Sequence, residues 1–207
     1  MALPIGRGLI TLGLIAPLFV SAVALDDDMT VWAAQAKAPI LDLLVGMIDP
    51  IGRGVTLLVA CAALALLAWR CGRTRLCEAA RLGALAFMYA GLVEFALKHL
   101  VGRPRPNAAL AAATGVLGPS WTPGVDSFPS GHATSVFAVA AVFGAFYPWL
   151  RLPLYVLAAA VALGRVYLER HYLSDVVAGA VLGVIVAVWL HRRQQAGRTG
   201  VDPEAGR

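Results

Sequence analysis

Charge is scarce in this sequence. Only 14% of its 207 residues are Asp, Glu, Lys or Arg, where a soluble domain carries roughly 25%. With 59% hydrophobic residues and a mean hydropathy of +0.75, that deficit argues against an ordinary soluble domain and for a chain that lives in lipid. Cysteine is scarce as well. Cys61, Cys71 and Cys77 form no CxxC pair and lie in or beside one apolar segment, which leaves no disulfide framework and no zinc site to expect. The net charge of +5 comes without a basic run among interleaved aromatics, so nucleic acid is not the expected partner. Clustered carboxylates with metal-ligand spacing are missing too, and neither a metal nor another cofactor is expected. There is no internal repeat and no low-complexity block.

What is present is a series of apolar segments. Residues 9–25 follow a single Arg7 and fit either a first span or a cleaved signal sequence, because Ala22-Val23-Ala24 precedes Asp26-Asp27-Asp28. The weakly charged start and the length of the apolar run favour a span. Further spans are expected at about 54–69, 81–100, 131–148, 152–168 and 173–190, each near the ~20 residues that cross a bilayer. Between Pro39 and Pro50, Ile40, Leu41, Leu44, Val45 and Ile48 recur at helical spacing with Asp42 and Asp49 elsewhere. This predicts an amphipathic helix on the membrane surface, with a packed loop as the alternative. The expected fold is an all-α, polytopic membrane bundle of about six spans, forming one domain over 1–193, with a disordered cytoplasmic tail at 194–207.

Lys and Arg orient it. With the N-terminus inside, ten of these residues fall on the cytoplasmic side and seven outside. Five of the seven (Lys98, Arg103, Arg105, Arg165 and Arg170) lie in two stretches with another reason to exist. The positive-inside rule therefore puts both termini in the cytoplasm.

Three polar clusters then share the extracytoplasmic side. Lys98 to Pro106 gathers cations that repel one another unless an anion sits among them. In Phe128-Pro129-Ser130-Gly131-His132, Pro129 blocks an earlier helix and Ser130 suits the N-cap of a new one. The first turn of that helix would offer backbone N–H groups to an anion, with Gly131 allowing close approach and His132 as a titratable donor. His171 and Asp175 are four apart, so on one helix they share a face and the carboxylate can hold one ring nitrogen. Glu94 is the one acid inside the 81–100 span, set for a polar cavity or a helix–helix hydrogen bond. Cations, a helix N-terminus and two histidines together suit phosphoryl transfer.

The pattern Lys-x6-Arg-Pro (Lys98, Arg105, Pro106), Pro-Ser-Gly-His (Pro129 to His132) and Arg-x5-His-x3-Asp (Arg165, His171, Asp175) resembles the three motifs of the type 2 phosphatidic acid phosphatase superfamily. The resemblance implies that Lys98, Arg105 and Arg165 bind phosphate with Ser130 and the Gly131 backbone. It implies that His171 is a nucleophile forming a phosphohistidine, that Asp175 orients it, and that His132 is the general acid. No metal is required in that family. The third motif usually has Ser before its Arg, and here Gly164 stands there. His99, Arg103 and Arg170 lie outside the motif positions and are expected to be structural or field-setting. The implied activity is a membrane phosphatase acting on a lipid phosphate or diphosphate. The alternatives are the vanadium-dependent haloperoxidases, which share the anion cage on soluble helical proteins, and a non-catalytic protein that moves or senses such a lipid. The loop 107–127 is expected either to cover the site or to connect passively.

Overall fold

The computed structural model of the protein describes residues 5–108 and 115–199. Among these residues there are eight α-helices: α1 (Ile5–Ala24), α2 (Asp26–Gln35), α3 (Pro39–Ile48), α4 (Gly54–Arg70), α5 (Thr74–Val101), α6 (Gly131–Phe146), α7 (Arg151–Tyr167) and α8 (Leu173–Thr199). Short 3-10 turns at Asp49–Gly52 and Pro148–Leu150 precede α4 and α7, and no strand occurs among the described residues. This is an all-α membrane bundle. Its outer surface is apolar, with Val55, Leu92, Trp149, Leu152 and Val156 all exposed. Such side chains face lipid rather than water, since helices satisfy their own backbone in a bilayer.

α6 is the hub, packing on α8, α5 and α7. It begins where Pro129 ends and stops before Pro148, which limits it to 16 residues. Small residues let its neighbours close in. Ala79, Ala86 and Ala90 of α5 and Ala187 of α8 surround Ala138 and Val142. On α8, Gly179 and Gly183 lie one turn apart and face α6. A Cβ on Gly179 would come within 2.6 Å of the Ser130 carbonyl oxygen, and one on Gly183 within 2.4 Å of the Thr134 carbonyl oxygen. This small-xxx-small pair allows the two backbones to touch, and it sets the start of α8 beside the head of α6.

The expected count of six spans is not met by length. Among the described residues, α5, the stretch Pro148–Tyr167 and α8 are long and apolar enough to cross a membrane, and a fourth would need the bent pair α2 and α3, which turn by 117°. α4 and α6 are apolar but have 17 and 16 residues. At 1.5 Å per residue α6 reaches about 24 Å, short of a ~30 Å hydrocarbon core. At the other end of the chain α8 continues to Thr199, so residues 194–199 of the expected disordered tail are helical; residues 200–207 lie outside the described ones.

The amphipathic helix expected between Pro39 and Pro50 is present as α3, and α2 precedes it. Asp42 accepts a hydrogen bond from the Tyr167 hydroxyl at 2.7 Å, whereas Ile40, Leu43, Leu44 and Met47 are exposed. Ala33, Val45 and Ile48 are among the apolar residues that turn inward. Asp42 thus has a protein partner on a helix whose exposed apolar side chains suit lipid.

Candidate active site

The three motif clusters meet at one end of the bundle. α5 ends at Gly102, left-handed at φ 57°, and releases the chain into Arg103-Pro104-Arg105. α6 starts at Gly131, α7 ends at Tyr167, and α8 starts at Leu173. The backbone N–H of Ser130 donates to the Asp175 carbonyl at 3.0 Å, which ties the second motif directly to the third.

His171 is buried, at 3% exposure. Its Nδ1 lies 2.8 Å from the Ser127 backbone carbonyl. A carbonyl only accepts, so Nδ1 carries the hydrogen and Nε2 keeps a free lone pair. Burial, reinforced by the charges of Lys98, Arg105 and Arg165, holds the His171 pKa well below the usual histidine range. The ring is therefore neutral at neutral pH, as a nucleophile must be.

Asp175 does not take the nitrogen that the i, i+4 spacing suggested. Its Oδ2 is 3.9 Å from His171 Nδ1, beyond hydrogen-bond reach. Instead it accepts from the Ser127 hydroxyl at 2.6 Å, from the Tyr172 backbone N–H at 2.9 Å and from Arg103 Nη1 at 2.6 Å. Ser127 thus links the two: its carbonyl fixes the imidazole and its hydroxyl is fixed by the carboxylate. Arg103 in turn reaches Asp26 through Nη2 at 2.9 Å. Asp26 also accepts from the Ser174 N–H at 2.8 Å and from the Ser174 hydroxyl at 2.6 Å. Asp26, Ser127, Ser174 and Asp175 are all buried. This continuous network around the nucleophile includes four residues that were missed in the sequence or read as peripheral: Asp26, Ser127, Ser174 and Arg103. The available signal for Asp26 was its place just past the first apolar segment, at the same membrane face as the motifs.

The expected phosphate-binding cations are present, and each is matched by a carboxylate of the protein. Lys98 Nζ is 3.1 Å from Glu94 Oε1 and donates to the Asp126 carbonyl at 2.7 Å, so Glu94 faces the polar site. Arg105 grips Asp126 through Nε at 2.8 Å and Nη2 at 2.7 Å, and these bonds hold the Asp126 carboxyl below its usual pKa against the opposing effect of burial. Arg165 Nη1 donates to Asp49 Oδ1 at 2.5 Å. Mutual repulsion among the cations is thereby relieved within the chain. Glu94 also approaches the head of α6: a Cβ at Gly131 would fall 2.9 Å from its Oε1. Ser130 holds the N-cap position, but its hydroxyl makes no capping bond. Ser130 Oγ, His132 Nε2 and Arg165 Nε are buried without a hydrogen-bond partner among the described residues. Buried polar atoms are normally paired, so three unpaired ones on motif residues mark a place built for an acceptor-rich ligand.

Beside this cage a cavity of about 500 Å³ is lined by Arg105, Asp126, Arg170, Asn107, Trp121 and His99, among others. The Trp121 ring stacks on His99 with centroids 3.8 Å apart while remaining 76% exposed. The described part of the loop 107–127 therefore borders the site; residues 109–114, which the expectation also included, lie outside the described ones.

Comparison with known proteins shows the family of the chain. A family model described as the PAP2 superfamily matches residues 79–198. A lipid A 1-phosphatase of Rhizobium johnstonii is 35% identical over 106 residues, covering 49% of this chain and 43% of its own. A decaprenylphosphoryl-5-phosphoribose phosphatase of Mycobacterium tuberculosis is 43% identical over 104 residues, 50% of this chain and 54% of its own. The chain spans about half the length of these curated relatives. Among solved structures, a transmembrane PAP2 type phosphatidylglycerolphosphate phosphatase from Bacillus subtilis aligns with a TM-score of 0.67 at 24% identity, over 94% of this chain and 97% of that one. LpxE of Aquifex aeolicus aligns with a TM-score of 0.64 at 22% identity, over 81% and 95%. At these identities the likeness is one of fold.

Proposed function

Because this chain belongs to the PAP2 superfamily, we propose that it is a multi-pass membrane phosphatase that hydrolyses a lipid phosphate or diphosphate through a phosphohistidine. The observation that carries this reading is the set of unpaired buried atoms, Ser130 Oγ, His132 Nε2 and Arg165 Nε, beside a neutral His171. Lipid phosphates are the substrates named for the relatives above, which supports the substrate class.

In this reading the phosphate enters among Lys98, Arg105, Arg165, Ser130 and the N–H groups at the head of α6. A dianion there competes with Asp126 and Asp49 for their arginines and offers more acceptor oxygens than one carboxylate. His171 Nε2 attacks phosphorus as the bond to the leaving oxygen breaks, and His132 gives that oxygen its proton. Water then attacks the phosphohistidine, His132 takes the water's proton, and the phosphorus–nitrogen bond breaks to release inorganic phosphate. The Ser127 carbonyl holds the Nδ1 hydrogen of His171 and stabilises the positive charge that the ring acquires on attack. The lipid alcohol leaves into the bilayer. Residues 1–193 act as one domain, with the site on the extracytoplasmic face of the cell membrane.

Phosphate release from phosphatidic acid, phosphatidylglycerol phosphate, a prenyl diphosphate and lipid A by the purified protein is the direct test. No release from any of them would overturn the reading. The cage supplies its own cations, so activity is expected to survive excess EDTA unchanged. Loss with EDTA and recovery with magnesium would show that a metal takes part. The orientation is checked by placing a cysteine at Val116, an exposed position on the motif side. An impermeant thiol reagent should label it in intact cells, while Cys71, exposed at the opposite end of α4, should react only after lysis. The reverse pattern would turn the topology over.

A further inference from the structure

The turn Asp49–Gly52 holds His132 from two sides. Asp49 Oδ1 lies 3.6 Å from His132 Nε2, and the same oxygen accepts from Arg165 Nη1 at 2.5 Å. Gly52 packs against the ring itself: a Cβ there would fall 2.6 Å from His132 Cδ2. Both partners are shielded, with side-chain exposures of 15% for Asp49 and 22% for His132.

The same turn accounts for the departure in the third motif. A Cβ at Gly164 would sit 3.3 Å from Val45 Cγ1, so the space usually given to a serine side chain is filled by α3. Val45 and Asp49 are four residues apart on the inward face of α3 and its continuation. They meet the consecutive residues Gly164 and Arg165 of α7. Gly164 lets α3 dock, and docking α3 delivers a carboxylate to the arginine and the histidine of the site.

We propose that Asp49 is a positioning residue for His132, a carboxylate that favours the protonated form of its imidazole against the cations around it and steadies the ring in the site. The charged groups facing His132 are Asp49 and Arg53 from the 3-10 turn and the residue after it, Arg165 from α7 and Lys98 from α5. Burial and the three cations oppose a protonated ring, and Asp49 is the carboxylate that works against them. No proton passes through Asp49. His132 Nε2 loses its proton to the leaving oxygen in the first half-reaction and regains one from water in the second.

This role rests on the phosphatase reading, and the test separates the two. The full-length wild type, Asp49→Asn, Asp49→Glu and His132→Ala proteins are assayed over a pH series on phosphatidic acid and on p-nitrophenyl phosphate, whose leaving group needs little protonation. For Asp49→Asn, kcat/KM on phosphatidic acid is expected to fall by about 10–100-fold, the usual scale for an outer-shell partner. Its basic limb should move to lower pH, and the loss on p-nitrophenyl phosphate should be much smaller. Asp49→Glu should recover part of the phosphatidic acid rate. Equal losses on both substrates with an unmoved basic limb would overturn the proposal, reducing Asp49 to a structural partner of Arg165. A gain in rate with a lower KM would also overturn it, showing that Asp49 merely competes with phosphate. Wild-type protein inactive on both substrates would instead sink the phosphatase reading, and this role with it.

Discussion

His171→Ala is expected to reduce phosphate release to background on every substrate, because it removes the atom that accepts the phosphoryl group. His132→Ala should lose ~10²–10⁴-fold on a lipid phosphate, the usual worth of a general acid, and recover part of that loss on p-nitrophenyl phosphate. The contrast follows from the tautomer fixed by the Ser127 carbonyl, which leaves Nε2 of His171 free, and from the partnerless Nε2 of His132. Asp175→Asn should fall between the two. It leaves the imidazole tied to Ser127 but removes a charge from behind it and weakens the bond to Arg103. Rapid-quench labelling with ³²P-labelled substrate is the second readout. Acid-labile, base-stable phosphate should appear on the His132→Ala protein and never on His171→Ala. Labelled His171→Ala protein, or equal rescue of both variants, would reverse the assigned roles.

Arg103→Ala should be as damaging to the fold as the histidine variants are to the chemistry. Burial works against the Arg103 charge, yet Asp175 and Asp26 raise its pKa above the ordinary arginine value. Removing it leaves two buried carboxylates, Asp26 at 4% and Asp175 at 0% exposure, with no cation between them. Breaking a buried pair from one side costs about 3–5 kcal/mol, and here both carboxylates are stranded. The variant should lose several degrees of thermal stability in detergent and most of its activity. Arg103→Lys keeps the charge but not the fork that serves two acids, and should recover stability only in part. The double variant Asp26→Asn with Arg103→Ala should be more stable than Arg103→Ala alone, since one stranded charge is gone. If Arg103→Ala melts with the wild type, the network is not holding the site together.

The difference between Arg103 and Arg105 shows where sequence reading stops. Both arginines stand in one short Arg-Pro-Arg-Pro stretch. The motif singles out Arg105, which faces the cage and the cavity beside it. Nothing local tells that Arg103 points the other way, onto Asp26 and Asp175, because its partners lie 77 and 72 residues away. Asp49 is similar. Its periodicity set it apart from an apolar stripe, but its partner Arg165 is 116 residues on.

Composition and periodicity by themselves determined the all-helical membrane character. Apolar runs in lipid have few ways to satisfy a backbone, and helices are the local one. The order and internal spacing of the three motifs determined the family and its expected site residues, since those spacings stay within single helix ends and turns. The tertiary structure decided the rest. It gave His171 to the Ser127 carbonyl rather than to Asp175, matched Arg105 and Arg165 with the distant carboxylates Asp126 and Asp49, and turned Asp49 inward. It also made α6 the hub on which α5, α7 and α8 pack. These outcomes depend on how closely helices approach, which is set by Gly164, Gly179 and Gly183 meeting particular neighbours. A carboxylate finds its cation only once that distance is fixed.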